Sequence, residues 1–208
     1  MDLSFPLATI APTLDSGVLH VLAATTGGCT GAEVHRRLGH GSDEGVRKVL
    51  ARLVGQGIVV VETPARYPLY RLNRSHVAAP HIEALTRVRQ DIVDRIRDQV
   101  TAWQVLPTHA GLFGSFARGT AHADSDIDVL LVRPETLTER EEDLWLDQVD
   151  GLDRAIKAWT GNVAQIIDLT AATLGRMARE GDPLVDSWRA EDIPLHGGRL
   201  IALLRELR

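Results

Sequence analysis

The chain has 208 residues, 44% hydrophobic and 25% charged, with a formal net charge of -5. These are the fractions of an ordinary globular protein, and the negative balance excludes a protein coated in nucleic acid. The length holds one large domain or two small ones. The opening MDLSFPLATIAP has no basic stretch ahead of an apolar run and does not read as a secretory signal, and no stretch is long and uncharged enough for a membrane span. Cys29 is the sole cysteine, which excludes an internal disulfide and fits the reducing cytoplasm where the chain is expected to act. Residues 1–78 hold eight Arg and Lys against six Asp and Glu, whereas the remainder holds 15 against 22. A mildly basic front and an acidic back point to two domains with different partners.

Apolar Leu14, Val18, Leu19, Val21 and Leu22 predict a first helix over 14–26. In TGAEVHRRLG, Thr30 and Glu33 have the spacing of a capping box, and Gly39 stops the second helix. A third helix follows in HGSDEGVRKVLARLVGQG. Ser42 caps it, Asp43 and Glu44 suit its first turn, and Val46, Val49, Leu50, Leu53 and Val54 form its apolar face. IVVVE and YPLYRLN then read as short strands joined by TPAR.

Three helices and a β-hairpin is the order of a winged helix-turn-helix, and residues 1–78 resemble that family, especially its bacterial regulators. The resemblance implies a front domain whose third helix enters the major groove of double-stranded DNA. Arg47, Lys48 and Arg52 would face outward from the apolar stripe and Arg66 would lie at the wing. A homodimer would then contact paired half-sites. Asp43 and Glu44 oppose this, because they repel phosphates at the helix start, and winged helices also serve as protein-interaction modules.

Residues 79–104 carry Ile82, Leu85, Val88, Ile92, Ile96, Val100 and Trp103 at helical spacing and predict one long helix linking the domains. From residue 105 to 208 short apolar runs alternate with amphipathic ones: HAGLF, DIDVLLV and VAQIIDLT as strands, with helices between and after them. This alternation predicts an α/β (α+β) domain, expected with a mixed sheet.

Within GLFGSFARGTAHADSDIDVLLV, residues 111–132, Asp126 and Asp128 alternate with apolar residues and so share one face of a strand. Burying ionised carboxylates is costly without compensation. A divalent Mg²⁺ with phosphate oxygens supplies it, because a hard cation prefers such ligands. Gly114-Ser115 turns from a strand into a helix whose N–H groups can hold a phosphate, and Arg118 lies one turn on.

GSFARGTAHADSDID closely matches the signature of the nucleotidyltransferase superfamily that resembles DNA polymerase β: Gly-Ser, about ten residues, then Asp-apolar-Asp. Its GSxARG…SDID form looks like the minimal bacterial nucleotidyltransferases. These include antibiotic-modifying enzymes and toxin–antitoxin components that modify a partner protein or tRNA. The resemblance implies that Gly114, Ser115 and Arg118 bind the NTP phosphates and that Asp126 and Asp128 hold Mg²⁺. It also implies a third acid on a later strand that completes the metal site and takes the acceptor's proton, for which Asp168 of QIIDL is the expected residue. Glu180, Asp182, Asp186 and Asp192 are weaker alternatives. ATP is the donor by family habit, and protein, tRNA and small molecules all stand open as acceptors.

GSFARGT lacks the lysine of a Walker A loop, and Phe113 occupies the place of a nucleophile-elbow glycine, so neither a P-loop ATPase nor a serine hydrolase is expected. Trp145, Trp159 and Trp188 fall at apolar helical positions and read as core. The competing reading is a winged-helix transcriptional regulator whose nucleotidyltransferase domain senses nucleotide or is inactive.

Overall fold

The computed structural model describes residues 1–63 and 66–207. Pro64 and Ala65 of the expected TPAR turn, and Arg208, lie outside the described residues. By internal contacts the chain divides into a front unit, Ser4–Arg89 with Asp2, and a back unit that runs from Gln90 with Met1 and Leu3.

The front unit begins with a short helix α1 (Pro6–Ile10), followed by α2 (Leu14–Ala23), α3 (Gly31–Leu38) and α4 (Asp43–Gly55). Helix α1 has no counterpart in the sequence reading, because five residues are too few to show a period. Thr30 and Glu33 form both halves of the capping box, and the Ser42 hydroxyl accepts from the Gly45 N–H. Strands β1 (Val59–Glu62) and β2 (Leu69–Leu72) pair antiparallel, and an isolated bridge joins Cys29 to Tyr70. Val18, Leu22, Val34, Val46, Leu50 and Leu72 are buried in one core.

Helix α5 (Ala79–Thr101) is continuous, and the division between units falls inside it, after Arg89. No helix among the described residues is long and apolar enough to cross a membrane.

In the back unit, β3 (His109–Phe113), α6 (Gly114–Arg118), β4 (Ile127–Arg133), α7 (Glu139–Thr160) and β5 (Ala164–Thr170) are followed by α8 (Ala171–Glu180), α9 (Pro183–Glu191), β6 (Ile193–His196) and α10 (Leu200–Glu206). The sheet order is β5-β4-β3-β6. The β4–β5 pair is parallel and the other pairs antiparallel, so this is a mixed α/β domain. A parallel pair needs a long crossover, and the 22 residues of α7 provide it, started by a Thr138–Glu141 capping box. Leu130 and Val132 of β4 pack under Leu174, Val185, Trp188, Leu200 and Leu204, so α8, α9 and α10 cover that face. Trp145 of α7 is buried, in edge-to-face contact with Trp103.

Candidate active site

The antiparallel register of β3 and β4 sets Phe113 opposite Asp128, so the turn at Gly114 lies beside that carboxylate. Gly114 has φ of 70°, and a Cβ there would collide with Asp128 Oδ2. Only glycine meets both demands, left-handed backbone and close approach of a carboxylate. The turn opens α6, which is only five residues long. So short a helix has little macrodipole, and any grip on phosphate rests on the Gly114 N–H, Ser115 and the Arg118 guanidinium.

Asp126 lies just before β4 and is exposed, whereas Asp128 is half-buried. The two are close enough to interact. Burial pushes the Asp128 carboxyl above the ordinary carboxylate range, and the Asp126 and Glu191 charges push the same way against the opposing pull of Arg118. The loop ahead of Asp126 is clamped from behind. The buried Asn162 donates from Nδ2 to the Ala123 carbonyl (3.0 Å) and the Ser125 carbonyl (2.8 Å), and the Ile127 N–H donates to the Val163 carbonyl (2.9 Å). Asn162 follows Gly161 at the end of α7, so the sequence alone gives no cue to this role.

The structure does not bring Asp168 to the Asp126–Asp128 pair. Its register partner on β4 is Leu131, not Leu130 or Asp128. Paired residues on neighbouring strands point to the same side, so Asp168 faces away from the Asp128 side of the sheet. Its Oδ2 accepts from the buried Trp145 Nε1 at 2.8 Å. Gln165 is the β5 residue paired with Asp128. Among the described residues no group of three or more His, Cys, Asp or Glu is arranged to hold a metal. Three of the weaker alternatives are engaged elsewhere: Asp182 caps α9, Asp186 pairs with Arg189, and Asp192 accepts from the Leu200 N–H. Asp168→Ala is expected to lower stability by about 1 kcal/mol, the cost of an unpaired indole N–H, in a urea titration. Nucleotide binding should persist, since no contact of Asp168 reaches the Asp128 face.

The acid that does reach the turn is Glu191, the last residue of α9. Its Oε2 accepts from the Gly114 N–H at 2.8 Å, and its Oε1 accepts from Arg118 at 2.7 Å and from the Ser187 hydroxyl at 3.2 Å. Burial pushes the Glu191 carboxyl up, but these hydrogen bonds and the Arg118 charge outweigh it and hold it below the usual range. Sequence reading missed this residue. Ser187 and Glu191 share a helix face at i, i+4, but Arg118 is 73 residues away in sequence.

In the front unit, the cations expected to face DNA are engaged by acids. Arg47 pairs with Asp43 (3.3 Å), Lys48 with Glu44 (2.8 Å) and Arg52 with Asp15, while Arg66 stacks over the Tyr67 ring. The Arg47 and Lys48 pairs are exposed and of small worth, whereas Asp15 is partly buried.

No curated protein matches the chain. Residues 90–160, the stretch that holds Gly114, Ser115, Arg118, Asp126 and Asp128, match the family model for a nucleotidyltransferase domain.

Proposed function

We propose that the protein transfers a nucleoside monophosphate from a Mg²⁺-bound NTP, with ATP the first donor to test, to a hydroxyl of a protein, tRNA or small molecule. The observation that carries this reading is the Asp126–Asp128 pair set against the Gly114 turn, with Asp128 directly over the glycine. The donor set fits Mg²⁺: one half-buried carboxylate whose ionisation is opposed by its neighbour is relieved by a hard cation, and Mg²⁺ is commonly held by one or two carboxylates plus waters and substrate phosphates. Bound there, the ion would neutralise charge developing on the leaving pyrophosphate. The Gly114 N–H, Ser115 hydroxyl and Arg118 guanidinium would hold the phosphate tail in line for attack. With Asp168 on the other face, no residue is assigned to the acceptor's proton.

For the front unit the proposal is a winged helix-turn-helix that binds duplex DNA as a homodimer through Arg47, Lys48, Arg52 and Arg66, in a cytoplasmic protein. The exposure of Arg47 and Lys48, whose acid partners phosphates could replace, supports it. A toxin–antitoxin setting is one place where such a pairing of domains would serve.

A second reading, a DNA-binding regulator whose back unit only senses nucleotide, is favoured by one observation: the Asp128 face has Gln165, not an acid, at the paired position on β5. Incubation with α-labelled NTPs, Mg²⁺ and total cell extract separates the two. A labelled product supports transfer; no product, with specific duplex binding retained, supports the regulator.

A further inference from the structure

Glu191 stands where the proposed nucleotide would put a phosphate. Its carboxylate takes the Gly114 N–H and the Arg118 guanidinium, two of the three groups assigned above to the NTP tail, and adds the Ser187 hydroxyl from its own helix. A carboxylate with charge-assisted hydrogen bonds from a guanidinium, a backbone N–H and a hydroxyl has the donor shell that a phosphate oxygen seeks. The Glu191 side chain is 16% exposed and Arg118 50%, so the guanidinium end of the pair is open to solvent. Asp128, which carries charge of the same sign, also feels Glu191. The carboxylate is therefore held by its donors against repulsion from the site it borders.

We propose that Glu191 is a resident competitor for the nucleotide's phosphate seat, and that Ser187 is a further donor of that seat which the phosphate inherits when Glu191 leaves. The proposal rests on the nucleotide reading above. An internal ligand lowers apparent affinity by the fraction of molecules in which it occupies the site. Nucleotide and Glu191 cannot both accept from the Gly114 N–H, so removing the carboxylate frees the seat. The same exchange gives the protein a threshold: nucleotide binds in quantity only above a concentration that Glu191 sets.

The test measures ATP binding by titration calorimetry, with and without Mg²⁺, on wild type, Glu191→Gln and Glu191→Ala, each checked by thermal melting for an intact fold. Glu191→Ala is expected to bind about tenfold more tightly. Glu191→Gln should show a smaller gain, because the amide still accepts hydrogen bonds but carries no charge. Adding Ser187→Ala to Glu191→Ala is expected to give back part of the gain. Equal affinity in wild type and both Glu191 variants, or weaker binding in them, overturns the proposal while leaving the nucleotide reading in place. ATP binding by none of the proteins overturns the nucleotide reading, and the competitor role with it.

Discussion

Asp126→Asn or Asp128→Asn is expected to lower nucleotidyl transfer by about a thousandfold or more, the scale seen when one electrostatic element of a preorganised site is removed, measured as pyrophosphate released from NTP and Mg²⁺. A double asparagine variant that releases pyrophosphate at the wild-type rate would remove the pair from the chemistry. Asp128→Asn should also have the opposite effect on the fold. The folded carboxyl of Asp128 is raised above its ordinary range by burial first and then by Asp126. Such a group stabilises the metal-free protein at low pH and loses that contribution as pH rises through the folded value. At neutral pH the metal-free wild type therefore bears the full cost of the charge, which the asparagine variant does not. Without Mg²⁺ the variant should melt higher than wild type at pH 7, and the difference should shrink as pH falls toward the ordinary carboxylate range.

Gly114→Ala has the next largest expected effect. A left-handed non-glycine residue costs about 1–2 kcal/mol, and the new methyl would also meet Asp128 Oδ2. Forcing such contacts in packed surroundings adds about 1–3 kcal/mol. A urea titration should show both terms as a lower midpoint at unchanged slope. ATP binding should be lost as well, because the Asp128 carboxylate must move off the turn. A variant with wild-type stability would mean that the turn relaxes into another backbone conformation.

Much of the back unit was legible because local chemistry fixed it. The strand-turn-helix around Gly114 and the alternation of Asp126 and Asp128 were readable in a single stretch of sequence. The side on which Asp168 falls was not. Helices cover both faces of this sheet, so Ile166 and Ile167 of β5 are both apolar, and period two carries no phase that separates one face from the other. The phase comes from the β4–β5 register, which depends on how α7 returns the chain. Glu191 was hidden for a related reason: α9 meets the turn only through tertiary packing, and nothing near Arg118 in sequence announces a partner 73 residues on. In the front unit the capping box and apolar stripes were local and readable, whereas the acid partners of Arg47 and Lys48 show only as i, i+4 spacing.

Asp192, next to Glu191, is pinned. Its Oδ2 accepts from the Leu200 N–H at 2.8 Å, its Oδ1 lies 3.3 Å from Nε2 of the buried His109, and the following residue begins β6, which is laced to β3. The main chain at the end of α9 is thus anchored to the same strand that leads into Gly114. Departure of Glu191 then requires breaking its three hydrogen bonds and rotating about its own side-chain bonds, with the main chain in place. Entry of an anion would be limited by diffusion and by the occupancy of the carboxylate, with no slow opening of the domain ahead of it.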